Sequence, residues 1–431
     1  MFKKSFLGLS QPRFEYAAAD SATAEPEHIP VPEKVTLIFS RPLNGKKPLV
    51  KTGDKVRTGQ KILLCEDCAE YVISSVSGTV SSVSPYIGDF GASCTAVTVK
   101  TDAEDVSDES FAEKIAESGE EEAVKEFLAS VPGLLPLHVF NDPKQHIETI
   151  VISGVEKDLL STTRQHVMKS NVSAMNTGIS VLKKATGVHK VVIALHQDLV
   201  GKAGAIGGAS GVELRVIDRA YPSALPRMIM KDVMGQVVPA GKSCEDLGIC
   251  FISAEAVSAV GNAFLKKRIP VSKTLTVVKK DMGTVLVEAR IGTSAGDILK
   301  AFDIPLFDKD RIIAGGPMTG SAIYSLDHPI GPDTDMIMVQ DHSDVSLVSD
   351  YPCINCGECV RICPANVPVS MLVRFLEAKK YEEAADEYDL FSCVECGLCS
   401  FVCVSKMPIF QYIRLAKHEL NRMRTEEEAD V

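Results

Sequence analysis

Short β-branched runs punctuate the chain between Pro32 and Lys100: Val35–Phe39, Lys61–Leu64, Val72–Val76, Thr79–Val83 and Thr95–Val99. Turns such as Lys51-Thr52-Gly53-Asp54 and Arg57-Thr58-Gly59-Gln60 separate them. Brief strands divided by glycine turns predict a small all-β unit over residues 31–100. Residues 1–30 before it are polar and proline-dotted, an arm with little structure of its own. Residues 101–148 after it are acidic. An Ala/Glu/Lys helical pattern runs there around Phe111–Ala129, its charged face being solvated surface.

From Thr149 the pattern alternates: strand Thr149–Ile152, helix Leu159–Gly178, helix Ile179–Thr186, then strands Lys190–Leu195 and Leu214–Ile217. Such alternation predicts a parallel sheet covered by helices over residues 149–270. Residues 271–345 follow with strands Thr274–Lys279 and Thr284–Arg290, a helix at Ala295–Ala301 and a return strand Arg311–Ala314, a compact α+β unit. The last stretch, 346–431, has helical pattern at Ser370–Ala378 and Tyr381–Tyr388. The fold class is therefore multidomain α/β.

Composition narrows the function. A net charge of −11 argues against nucleic acid as a partner. No apolar run approaches the roughly 18 residues needed to span a bilayer. The opening Met1-Phe2-Lys3-Lys4-Ser5-Phe6-Leu7-Gly8 is a poor signal peptide. Thirteen cysteines in such a chain read as metal ligands and reduced thiols, which predicts a cytoplasmic protein.

Eight of those cysteines form two matching blocks. Cys353-Ile-Asn-Cys356-Gly-Glu-Cys359-Val-Arg-Ile-Cys363-Pro364 is the first, and Cys393-Val-Glu-Cys396-Gly-Leu-Cys399-Ser-Phe-Val-Cys403-Val404 the second. Each is C-x2-C-x2-C-x3-C, which wraps three thiolates around one [4Fe–4S] cube and sends the fourth to the other cluster. The expected ligand sets are Cys353, Cys356, Cys359 and Cys403, and Cys393, Cys396, Cys399 and Cys363. Gly357 and Gly397 suit the tight path after each second cysteine. Zinc favours separated ligand pairs, and neighbouring cysteines facing one centre cannot all pair as disulfides.

Other features read as ordinary structure. Cys65 and Cys68 form an isolated C-x2-C, with Cys94 further on. A third metal site or a redox dithiol is conceivable chemically, but two ordinary thiols near a turn is the favoured reading. Gly201–Gly211 is glycine-rich yet lacks Gly-Lys-Ser/Thr and a strand-to-helix G-x-G-x-x-G, so it reads as a connection. His138, His146, His166, His189 and His196 lack metal-ligand spacing.

The segment from Val50 to Leu64 resembles the barrel-sandwich fold of biotinyl and lipoyl carriers. The neighbouring Cys65-Glu66-Asp67-Cys68-Ala69-Glu70 has no lysine to modify. With Val238-Pro239-Ala240-Gly241, Gly315-Gly316-Pro317-Met318 and both cysteine blocks, the order of parts resembles the RnfC family, together with its cobalamin-reductase and proline-reductase-associated relatives. The resemblance implies a complex-I-like flavin and NADH module over 149–270, an SLBB β-grasp domain over 271–345 and a helical di-cluster ferredoxin domain over 346–431. It implies a peripheral subunit on the cytoplasmic face of the cell membrane, within an ion-translocating electron transport complex. Three of the family's flavin and NADH signatures are altered here, at Val131–Leu137, Ser153–Asp158 and Tyr221–Pro226. The expectation drawn from them is that FMN is unlikely and that single electrons are relayed through two clusters, from or to a ferredoxin or cytochrome. The chain is then an electron-transfer component rather than a stand-alone catalyst. An NADH-oxidising flavoprotein, a carrier to a soluble reductase and a non-catalytic scaffold are the alternatives.

Overall fold

The computed structural model describes residues 12–18, 25–43, 47–66, 68, 70–206, 211–349 and 351–429. Residues 1–8 and 207–210, on which two of the expectations above fall, lie outside the described residues, as do Asp67 and Ala69.

The N-terminal unit is β throughout. Strands Lys34–Phe39, Ser93–Thr101, Gly78–Ile87 and Lys55–Val56 pair antiparallel in that spatial order, and Lys61–Leu63 pairs with Tyr71–Ile73 in a separate hairpin. Alternate residues of Lys34–Phe39 point inward, so Val35, Leu37 and Phe39 join Val97 and Val99 in a small apolar core. The arm takes its structure from its neighbours. Glu15 bridges to Ala220, Tyr16 is buried against the following α/β domain, and Glu27–His28 adds an edge strand to the sheet of residues 272–340.

The acidic connector holds two helices, Ser110–Ser118 and Glu120–Phe127, rather than one. Gly119, at φ +87°, breaks the pattern between them. Beyond it four parallel strands lie in the order Val212–Ile217, Lys190–His196, Thr149–Ser153, Ile249–Ser253. Every residue of Thr149–Ser153 is buried, as expected of a strand covered on both faces. The chain order reverses between Thr149–Ser153 and Ile249–Ser253, which makes their carboxyl ends the place where such sheets take ligands.

The first covering helix pair divides at Asn171, into Thr163–Ser170 and Val172–Thr186, and not at Gly178 as the pattern suggests. Gly178 instead serves a crossing with helix Ala254–Lys266. A side chain on Gly178 would strike the Val257 carbonyl, and one on Gly261 the Ala174 carbonyl. Gly261→Ala is therefore expected to cost about 3 kcal/mol or more, because backbone on both helices must part. A shift of the denaturant midpoint smaller than that of an exposed Gly→Ala variant, such as Gly201→Ala, would contradict this packing.

Residues 272–340 form a mixed sheet in the order Glu27–His28, Thr284–Arg290, Ser272–Val278, Met336–Gln340, Arg311–Ala314, Ser321–Ile323, with helix Ala295–Ala301 packed on its apolar face. The C-terminal unit is helical: Glu358–Arg361, Val369–Glu377, Tyr381–Glu387, Leu398–Val402 and the long Ile409–Ala429. Among the described residues no helix is long and apolar enough to cross a membrane.

Candidate iron-sulfur and flavin sites

The two cysteine blocks fold alike. Asn355 and Glu395, each just before the second cysteine, have φ +57°, and Gly357 and Gly397 just after it have φ +74° and +73°. Two consecutive turns of this kind, one on each side of the cysteine, curl the backbone so that three side chains converge. A short helix then starts at Glu358 and at Leu398 and carries the third cysteine inward. Gly397 has a second constraint, since a side chain there would run into the Met318 carbonyl.

Cys353, Cys356, Cys359 and Cys403 line one small cavity, closed on its inner side by Val373 and Ile409. Burial pushes the Cys359 thiol up to about 11, and Cys356, Cys353 and Cys403 add to the shift as neighbours. Around Cys396, burial raises the thiol to about 12, with Cys393 and Cys363 beside it. Cys399 is raised by burial too, and Cys393, Cys396 and Cys363 are its neighbours. Each set of four named from spacing thus shares one neighbourhood. Without metal the buried thiols are held protonated, so binding iron must displace their protons.

The two neighbourhoods differ in exposure. Cys356 is exposed, and Tyr351 and Ile354 beside it are 78% and 63% exposed. Cys396 and Leu398 instead belong to the core of the α/β domain. The Tyr221 hydroxyl donates to the Cys396 carbonyl at 2.7 Å, and Arg227 donates to the Phe391 carbonyl at 2.8 Å. Lys417 binds the Cys393 carbonyl at 2.9 Å and Glu395 at 2.8 Å, placing a cation against this second set. Backbone N–H groups of Glu395 and Met407 lie 3.4 Å from the sulfurs of Cys393 and Cys403, contacts that tune a cluster's potential.

A polar knot fills the carboxyl ends of Thr149–Ser153 and Ile249–Ser253. Glu156 accepts from the backbone N–H groups of Arg164 and Gln165 at 2.7 and 3.1 Å, at the start of helix Thr163–Ser170. Lys273 pairs with Glu255 and, at 3.1 Å, with Asp335, which also binds Arg164 at 3.1 Å. Asp158 accepts from the Met318 and Thr319 backbone and from the Thr319 hydroxyl, and so ties the Gly315–Gly320 loop to the α/β domain. The sequence marks Glu156 and Asp158 only as part of an altered loop, and its pattern does not single out Arg164, Glu255, Lys273 or Asp335. An acidic residue among apolar neighbours, as at Glu255 in helix Ala254–Lys266, was the available signal.

Burial raises Glu156 from its ordinary 4.5 to about 7. Between those values the folded chain holds a proton that the unfolded chain has released, so stability falls as pH rises through that window and stays lower above it. The full term is about 3 kcal/mol. Glu156→Gln should therefore flatten the pH dependence of the unfolding midpoint between pH 4.5 and 7. An unchanged slope in the variant would refute a protonated buried Glu156.

Comparison with known proteins identifies these parts. Residues 14–104 match the RnfC barrel sandwich hybrid domain, residues 134–262 the Nuo51 FMN-binding domain and residues 352–407 a 4Fe-4S dicluster domain. An RnfC-type protein of Clostridium ljungdahlii, named as part of a proton-translocating ferredoxin:NAD(+) oxidoreductase complex, is 28% identical over 407 residues, covering 90% of this chain and 88% of that protein. Its counterpart in the Na(+)-translocating ferredoxin:NAD(+) oxidoreductase complex of Acetobacterium woodii is 24% identical, covering 78% of this chain and 79% of its own length. The counterpart in the ion-translocating oxidoreductase complex of Pasteurella multocida is 25% identical over 79% of this chain, which spans only 43% of that longer protein.

The match over 134–262 overturns the expectation that FMN is unlikely: this α/β domain is of the FMN-binding kind. That expectation rested on short loops, chiefly Leu134-Leu135-Pro136, whereas the match extends over the whole domain. Those loop donors are indeed occupied internally, Gly133 N–H by the Pro332 carbonyl and Leu134 N–H by Val131. Other groups fit a flavin better. Arg164 Nε and His196 Nε2 are buried without a hydrogen-bond partner. His196 ends strand Lys190–His196 and Arg164 opens helix Thr163–Ser170, both at the edge where this topology takes ligands. The barrel sandwich, the flavin-type α/β domain and the dicluster domain, in this order and with relatives matched along most of the chain, make this a protein of the RnfC type.

Proposed function

We propose that this chain is the iron–sulfur electron-transfer subunit of a membrane-associated, ion-translocating oxidoreductase complex, carrying two [4Fe–4S] clusters with crossed fourth ligands. The observation that carries this reading is the pair of cysteine neighbourhoods. Cys353, Cys356, Cys359 and Cys403 surround one cavity, while Cys363 lies with Cys393, Cys396 and Cys399. In this reading the second set is the inner cluster, since Tyr221 of the flavin-type domain reaches the Cys396 carbonyl. The first set is the outer cluster, close to solvent through Cys356 and rimmed by Tyr351 and Ile354.

A flavin held near Arg164 would supply the conversion between two-electron nicotinamide chemistry and one-electron clusters. The chain's own part is to hold the inner cluster against that domain, fix it with Tyr221, Arg227 and Lys417, and present the outer cluster to a ferredoxin or cytochrome. Residues 271–345 serve as an SLBB β-grasp domain and, with the barrel sandwich, dock other subunits of the complex on the cytoplasmic face of the membrane. The test is anaerobic reconstitution followed by reduction with a ferredoxin, monitored by cluster absorbance. Two clusters that accept electrons reversibly are expected. Clusters inert to every protein donor and to NADH with FMN would leave only a scaffold role and overturn the reading.

A further inference from the structure

We propose that Cys65 and Cys68 form a thiol–disulfide exchange site on the barrel-sandwich hairpin, which accepts an electron pair from a dithiol of a partner protein. The two sulfurs are bonded, with Cα atoms 5.2 Å apart, which corrects the reading of this pair as ordinary thiols. The other eleven cysteines are free thiols. The linked pair therefore stands apart from the metal-ligand blocks, in another domain.

Its position argues against a structural staple. The hairpin strands Lys61–Leu63 and Tyr71–Ile73 are already joined by a three-residue ladder, and Leu64 accepts from the Leu49 N–H at 3.0 Å. The Cys68 N–H donates to the Cys65 carbonyl at 3.2 Å, which closes the turn by itself. A bridge between residues three apart closes too small a ring to restrict the unfolded chain much. A C-x2-C bridge at a turn is instead the spacing at which a disulfide opens and closes readily. The hairpin lies where carriers of this fold present a modified lysine, so it is a place built to meet partners.

Exposure sets the order of events. Cys65 is buried at 5% exposure, whereas Cys68 is half-buried. A partner thiolate therefore attacks the Cys68 sulfur, the Cys65–Cys68 bond breaks, and Cys65 leaves as a thiolate that takes up a proton. The partner's second thiol then attacks its own sulfur in the mixed disulfide and releases Cys68 as a thiol. The partner dithiol is oxidised to a disulfide, this pair is reduced to two thiols, and two electrons and two protons have moved. Cys94 is a spectator. It is buried, its sulfur is 3.9 Å from the Ser40 carbonyl, and Ser40 links by its N–H to Glu70 at the far side of the hairpin.

The test uses the full chain with its clusters, kept anaerobic and equilibrated in buffers of reduced and oxidised dithiothreitol. Thiols are then alkylated and read peptide by peptide by mass spectrometry. Cys65 and Cys68 should open and close together, reversibly, while Cys94 stays reduced. With oxidised glutathione as probe, Cys68 in a Cys65→Ser variant should form the mixed disulfide at least about tenfold faster than Cys65 in Cys68→Ser. Cys94→Ser should leave the wild-type titration unchanged. A pair that stays closed in excess reduced dithiothreitol is a staple, and a pair that stays open in oxidised dithiothreitol is two ordinary thiols. Either result, or equal glutathione rates at the two positions, overturns the proposal.

Discussion

Anaerobically reconstituted chain is expected to hold about eight iron and eight sulfide, and paired cysteine variants should divide that number according to which ligands share a cluster. Cys356→Ala and Cys403→Ala each remove a ligand of the same cluster if the fourth ligands cross. The double variant should then still hold about four iron, with one cluster intact by electron paramagnetic resonance. Cys356→Ala combined with Cys363→Ala strikes both clusters and should leave neither. An uncrossed arrangement predicts the reverse outcome for the two doubles. The geometry behind the expectation is the cavity that Cys403 shares with Cys353, Cys356 and Cys359, and the place of Cys363 beside Cys393 and Cys396. Stoichiometric zinc, or four iron in the parent chain, would sink the two-cluster reading outright.

The cysteine blocks were legible because their chemistry is local: three ligands and a glycine within seven residues already define a concave thiolate face. The strands of the barrel sandwich and of the parallel sheet were legible for the same reason, through period-two and fully apolar runs. Boundaries set by tertiary contact were not. Gly178 reads as a helix break, yet it lies inside helix Val172–Thr186, where it lets helix Ala254–Lys266 approach. Strand Met336–Gln340 escaped notice because its role is to be the central partner of two distant strands, Ser272–Val278 and Arg311–Ala314.

The flavin expectation failed by the same logic in reverse. One substituted loop was given the weight of a domain, although a ligand pocket at a switch point draws on residues far apart in sequence, such as Arg164 and His196. The hydroxyl of Tyr221 on the Cys396 carbonyl could not have been foreseen either, since 175 residues separate them. What joins the flavin-type domain to the inner cysteines is a docking contact, and docking leaves little periodic trace in sequence.

Replacing Lys273 should destabilise the junction between the α/β domain and the following sheet by about 3–5 kcal/mol. Lys273 is wholly buried on strand Ser272–Val278 and bonds Glu255 and Asp335. Burial alone would lower its pKa, but the two carboxylates outweigh that and hold it charged. Asp335 is pulled down to about 2 against its own burial, by Lys273 and then Arg164. Glu255 is the weaker member, with burial raising it despite Lys273. In Lys273→Met, Asp335 keeps Arg164 at 3.1 Å, while Glu255 is left as a buried carboxyl with no cation in contact. Most of the loss should therefore pass through Glu255, and Lys273→Met with Glu255→Leu should recover the greater part of it, because an apolar pair of similar volume removes the stranded group. Thermal unfolding together with hydrogen exchange over residues 272–278 gives both readings. A single variant as stable as the parent, or a double variant no better than the single, would show that this buried pair does not hold the two domains together.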